Sequence, residues 1–194
     1  MQIGLPTEIK NHEYRVGLTP ASVRELCSHG HSMLVQSGAG QAIGLSDALY
    51  LAAGATLVPD AASVFAQADM VVKVKEPQPE ECAMLRPGQI LYTYLHLAPD
   101  PAQTAALVQS GAICIAYETI TGVNGGLPLL APMSEVAGRM AVQAGAAHLE
   151  KSKAGWVYCS AACRACLQRM WSFWGRAWSA PMLCKWPLAW ARAL

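Results

Sequence analysis

The amino-acid sequence predicts an α/β fold: a mainly parallel sheet flanked by helices, ending in an irregular tail. Three observations point there. Short apolar runs alternate with segments of helical spacing through residues 1–155, the pattern of strands joined by crossover helices. Start and stop residues bracket most of the helical segments. At Trp156 the composition changes, and the alternation stops with it.

The elements follow in order. QIGLPTE is a first strand, apolar and then polar. PASVRELCSHG reads as a helix begun by Pro20 and stopped by Gly30, with Val23 and Cys27 on one face. SMLVQ is a strand closed by the turn residues SGAG. LSDALYLAAG is a helix with Ser46 as N-cap and Gly54 as its stop. AASVFAQA is helical, and MVVKV is a buried type of strand. ILYTYL is a further strand, DPAQTAALVQSG a helix capped at both ends, and AICIAY a strand. SEVAGRMAVQAGAAHLEKS is a long Ala-rich helix with Ser134 as N-cap.

Composition excludes several classes. The chain has 194 residues, enough for one sizeable domain or for one and part of a second. Hydrophobic residues make up 53% and mean hydropathy is +0.24, but no apolar run is long enough to span a bilayer. No membrane partner is therefore expected. A net charge of +1 argues against nucleic acid. The N-terminal stretch lacks the apolar core of a secretory signal, and seven Cys then read as reduced thiols in a cytoplasm.

Three places depart from a plain core pattern. Arg15 sits in the loop after the first strand. Lys73 and Lys75 close the apolar strand MVVKV, and His96 closes LYTYL. In open α/β sheets the carboxyl ends of the strands face the ligand crevice, so these groups together would hold a carboxylate beside an acid/base. Taken singly, each is ordinary: a solvated loop charge, a snorkelling lysine, a hydrogen-bonded histidine. Spacing alone supports a soluble α/β domain able to bind an anion. SGAGQAIG (residues 37–44) has Gly38-x-Gly40 with Gly44 one residue late for a dinucleotide fingerprint, and reads as turn glycines.

The segments MQIGLPTEIKNHEYRVGLTP, VVKVKEPQPEE, LYTYLHLA and AYETI…PLLAPMSEVAGRMA, in that order, resemble the alanine dehydrogenases through residues 1–153. The alpha subunit of proton-translocating transhydrogenase is a weaker match. The resemblance implies a Rossmann-like, incomplete substrate domain over residues 1–133, a long connecting helix over 134–153, and a cytoplasmic, homo-oligomeric enzyme. It implies reversible oxidative deamination of L-alanine to pyruvate and ammonium with NAD and water. It makes Arg15 and Lys75 substrate-binding and His96 the acid/base, and puts Met133 and Ser134 beside the cofactor, Ser134 near its phosphates. The types suit those tasks. Arginine grips carboxylates through two parallel bonds, lysine stabilises a developing oxygen charge, and histidine exchanges protons near neutral pH. Glu118 and Tyr94 lie in matching segments without an assigned step. The family's G-x-G-x-x-G turn does not follow the long helix, so this chain is expected to lack NAD binding and to be inactive alone. The alternatives are a non-catalytic fragment that binds pyruvate or pairs with an intact subunit, a transhydrogenase fragment, and a pseudogene product that is translated and degraded.

Residues 1–155 hold all thirteen acidic residues, all five His and no Trp, whereas residues 156–194 hold all six Trp, five basic residues and no acid. Cys159, Cys163 and Cys166 lack the paired spacings or His partners of a zinc site, so no metal is expected. Gly175, Pro181 and Pro187 interrupt any surface-lying helix. A shifted reading frame accounts for more. Joining the last base of each codon to the first two of the next forces Gly at Trp156/Val157, Val at Met170/Trp171, Leu at Phe173/Trp174, Gly at Trp174/Gly175 and Gly at Trp190/Ala191. The degenerate junctions between them permit V-V-V-L-G-A-G-V-V-G, a strand and a phosphate-cradling turn. Residues 154–194 are thus expected to be an out-of-frame tail in place of an NAD-binding domain.

Overall fold

The computed structural model describes residues 1–123 and 125–153; the expected out-of-frame tail lies outside them. The chain divides into two compact units, Met1–Thr119 and a second beginning at Ile120.

The first unit holds six strands: β1 (Gln2–Leu5), β2 (Ser32–Gln36), β3 (Thr56–Val58), β4 (Met70–Val72), β5 (Ile90–Thr93) and β6 (Ile113–Ala116). All pairings are parallel, and the spatial order is β3-β2-β1-β4-β5-β6. Five helices connect them: α1 (Pro20–Ser28), α2 (Asp47–Ala52), α3 (Ala61–Gln67), α4 (Pro79–Cys82) and α5 (Pro101–Ser110). The α/β class with a parallel sheet is therefore as expected. Strand order reverses between β1 and β4, the place where, in open α/β sheets, ligands bind at the carboxyl ends of the strands.

The pleat assigns side chains to the two faces. Ile3, Leu5, Met33, Val35 and Val72 pack with Val23 of α1 and Tyr50 and Ala53 of α2. Val71 and Leu91 pack on the other face with Phe65 of α3, Cys82 of α4 and Leu107 of α5. Gly4 lies where α3 crosses β1: a Cβ there would stand 2.5 Å from Val64 Cγ1 and 2.7 Å from Ala68 Cβ. Only a residue without a side chain allows this approach.

The caps largely follow the reading. Thr19 accepts from the Ser22 amide at the start of α1, and Asp100 from the Gln103 amide at the start of α5. Gly111 closes α5 with φ +67°. Ser46 has extended N-cap backbone but no side-chain cap bond. Two short elements escape the sequence pattern, β3 and α4. β3 is three residues long, too short to display a period, and exists through its pairing with β2.

The second unit contains α6 (Ala131–His148). Its N-cap is Leu130, four residues before the expected Ser134. Pro132 sits in its first turn, where a missing N–H costs nothing, so the proline does not delay the helix. Its C-cap is Leu149, and a 3-10 turn follows at Lys151–Lys153. No helix of the described residues is long and apolar enough to cross a membrane.

Candidate functional site

The sheet delivers three of the expected site residues to one end of the first unit. Arg15 lies on the loop leaving β1, Lys75 just beyond β4, and His96 just beyond β5. β1 and β4 flank the strand-order reversal and β5 is next in line.

Arg15 is held by Glu13. Its Nε donates to Glu13 Oε1 at 2.8 Å, its Nη2 to Oε2 at 2.6 Å, and its backbone N–H to Oε1 at 2.9 Å. The Glu13 side chain is 6% exposed and that of Arg15 46%. Hydrogen bonds from the Arg15 side chain, with the nearby charges of Arg15 and Lys75, bring the Glu13 carboxyl down to about 2 against the opposing effect of burial. The guanidinium fork thus already grips a carboxylate, in the two-bond manner expected for a ligand.

Lys75 has its backbone fixed from two sides. The Thr93 hydroxyl donates to its carbonyl at 2.8 Å, and its N–H points to Glu8 Oε2 at 3.4 Å. Lys73, a snorkelling lysine on its sequence position alone, is instead 1% exposed and lies between two carboxylates, Glu81 at 2.5 Å and Glu8 at 3.3 Å. It points inward because the β4 pleat carries it there, and only paired charges make that burial tolerable. Burial raises the Glu8 carboxyl above its ordinary range despite the pull of Lys73 and the Val74 amide.

His96 is exposed, with backbone φ +47°, a left-handed conformation uncommon outside glycine. Glu118, at the end of β6, maintains it by accepting from the His96 N–H at 2.7 Å and the Leu95 N–H at 3.1 Å. Tyr94 stacks on the His96 ring with centroids 6.0 Å apart and an 11° interplanar angle. Tyr117 meets Tyr92 and Tyr94 edge-on. Burial pushes the Tyr94 phenol up, and the Arg15 charge opposes that rise.

Met133 and Ser134 belong to the first turn of α6, in the second unit. The amides of Met133 and Ser134 donate to Leu130 O at 3.1 and 3.2 Å, that of Ala131 donates to Leu127 O at 2.9 Å, and Pro132 has none. The turn offers no free row of N–H groups for a pyrophosphate. At the Gly38–Gly44 loop, Asp47 Oδ1 accepts from the Gly38 amide at 2.8 Å, and a Cβ on Gly40 would strike Leu45 at 2.7 Å. A carboxylate and close packing fill that loop, in keeping with its reading as turn glycines. Neither of these two segments offers a pyrophosphate cradle, and the described residues contain no group of three or more His, Cys, Asp or Glu able to hold a metal.

Sequence reasoning missed Glu8, Glu13 and Glu81. A cue was available for Glu8, which follows β1 at its carboxyl end as Lys73 follows β4. Glu13 carried no cue, because its role depends on how the Arg15 loop closes on itself.

The family described as "Alanine dehydrogenase/PNT, N-terminal domain" matches residues 4–137. The alanine dehydrogenase of Halomonas elongata is 60% identical over 155 residues, covering 80% of this chain and 42% of the relative. That of Mycobacterium tuberculosis is 55% identical over the same length and shares. The chain therefore spans about 42% of the length of the curated relatives it matches. A solved L-alanine dehydrogenase superposes with TM-score 0.72 at 48% identity, over 79% of this chain and 42% of that one. A transhydrogenase from Sinorhizobium meliloti is less similar, with TM-score 0.67 at 25% identity over 76% of this chain and 45% of that one. By fold and by sequence, the chain belongs to the family of alanine dehydrogenase/PNT N-terminal domains.

Proposed function

We propose that this chain carries the carboxylate-holding and proton-handling part of an alanine dehydrogenase substrate site, for pyruvate and L-alanine. The observation that carries the reading is the gathering of Arg15, Lys75 and His96 beyond β1, β4 and β5, next to the strand-order reversal. Its strong likeness to alanine dehydrogenases supports the substrate class.

In this reading Arg15, oriented by its bonds to Glu13, attracts and fixes the substrate carboxylate with its guanidinium charge and so sets the direction of the α-carbon. Lys75 faces the oxygen or nitrogen on that carbon and stabilises negative charge developing there. His96, on its Glu118-held turn beside Tyr94, passes the proton as water adds to or leaves the α-carbon. NAD supplies hydride chemistry in the complete family enzyme. Met133 and Ser134 are proposed to approach it, but neither the first turn of α6 nor the Gly38–Gly44 loop offers a pyrophosphate cradle, so catalysis by this chain alone is not proposed. Residues 1–133 act as a partial substrate domain, 134–153 as the connecting helix, and 154–194 as an out-of-frame tail. A cytoplasmic location and self-association follow the family reading.

Two titrations test this. Pyruvate added to the isotope-labelled full chain should shift resonances of Arg15, Lys75 and His96 together and saturably. NADH should show no saturable binding below about millimolar, because a single neutral hydrogen bond contributes only ~0.5–1.5 kcal/mol. Pyruvate shifts scattered over the surface, or a micromolar NADH midpoint, would contradict the reading.

A further inference from the structure

Beyond Val72 the β4 backbone continues through Lys73, Val74 and Lys75 without β1 beside it, since β1 pairs β4 only as far as Gly4↔Val71. On the β5 side the bonding goes on: Lys73 N–H donates to Tyr92 O at 3.0 Å, and Tyr94 N–H to Val74 O at 3.3 Å. On the β1 side one side chain replaces the missing strand. Glu8 Oε1 accepts from the Val74 N–H at 2.6 Å, while Oε2 reaches the Lys75 N–H at 3.4 Å and Lys73 Nζ at 3.3 Å. The Glu8 side chain is 2% exposed, so water does not compete for these bonds.

Glu81 makes a useful contrast. Its side chain is equally buried and it pairs with the same Lys73 ammonium, but its other oxygen accepts from the Gln78 N–H at 2.8 Å, within the α4 capping box. Both carboxylates neutralise Lys73. Only Glu8 touches the backbone that carries Lys75.

We propose that Glu8 is a positioning residue for Lys75: its carboxylate takes the place of a strand partner along residues 73–75 and thereby aims the Lys75 ammonium at the ligand. The inference rests on the substrate-site reading, and deepens it by assigning a residue that acts on the ligand only through Lys75. Lys73 stands against Glu8 as its counter-charge and offsets part of the cost of that burial.

The test compares Glu8→Gln with Glu81→Gln in the full chain. Each leaves Lys73 one carboxylate, so both variants should fold with similar losses of stability. Glu8→Gln should weaken pyruvate binding about tenfold, the lower end expected for a charged hydrogen bond, and Glu81→Gln much less. In a Lys75→Ala background the Glu8→Gln penalty should vanish, because a residue acting through Lys75 has nothing left to aim. Hydrogen exchange gives a second readout independent of ligand: the Val74 and Lys75 amides should exchange faster in Glu8→Gln but not in Glu81→Gln. Glu8→Asp keeps the charge beside Lys73 while withdrawing the acceptor by one methylene, and should repeat the pattern should Glu8→Gln fail to fold. Equal weakening by the Glu8 and Glu81 variants, a Glu8 penalty that persists without Lys75, or unchanged Val74 and Lys75 exchange would each overturn the proposal. Absence of pyruvate binding in the unsubstituted chain would instead refute the substrate-site reading, and amide exchange would still decide the hold of Glu8 on the segment.

Discussion

Glu13 and Arg15, two residues apart, close on one another through two side-chain hydrogen bonds and a third from the Arg15 backbone. The group expected to clamp a ligand carboxylate is thus preorganised around one of the protein's own.

This pair has a pH signature. The Glu13 carboxyl is lowered from its ordinary value of 4.5 to about 2. A carboxyl depressed in the folded state adds stability that is fully present above its unfolded pKa and is lost as pH falls from there through the folded value. Carboxyl-resolved NMR should find Glu13 titrating near 2, and Arg15→Ala should return it towards the ordinary range. Solvent screening around the half-exposed arginine keeps the stability effect small. An ordinary Glu13 titration in the unsubstituted chain would mean that the pair does not persist in solution.

How much of this was legible in the sequence divides along physical lines. Elements with local causes were readable: α5 because Asp100 and Gly111 terminate it, and β4 and β5 because their apolar runs are bounded by turns. Arg15, Lys75 and His96 stood out because strand ends locate them, and the motif order around them carried the family. β3 and the early start of α6 were not readable. The first depends on a neighbouring strand, and the second on a proline that its position makes harmless. Nor could sequence separation convey that Glu8 and Val74, 66 residues apart, share a hydrogen bond.

Packing makes its own prediction at Gly4. A methyl there overlaps Val64 and Ala68, and overpacking a well-filled contact costs about 1–3 kcal/mol. Denaturant unfolding of Gly4→Ala should therefore give a lower midpoint, with an unchanged slope. Gly88→Ala is a contrasting case: its Cβ would meet nothing within 4 Å, but φ is +78°, so its cost is backbone strain of about 1–2 kcal/mol. A stabilised Gly4→Ala would mean that α3 does not pack on β1 as described.

The tail prediction needs no protein. Reading the gene in the alternative frame from about codon 154 should yield the strand, the three-glycine turn and the helix start inferred from Trp156–Leu194. Resequencing around codons 150–160 decides whether the shift is present in the gene. An alternative frame without those glycines at that spacing would end the out-of-frame account.

The most direct test of the central claim is pyruvate affinity of the full chain, measured by NMR titration for the unsubstituted protein, Arg15→Ala and Arg24→Ala. Arg24 is an exposed arginine of α1 with no role in the site, so it controls for net charge. The account predicts weak, saturable binding that falls about tenfold to a hundredfold in Arg15→Ala, as loss of charged hydrogen bonds requires, and little change in Arg24→Ala. Equal weakening in both variants would reveal diffuse charge attraction, and unchanged binding in Arg15→Ala would remove Arg15 from the site and contradict the account.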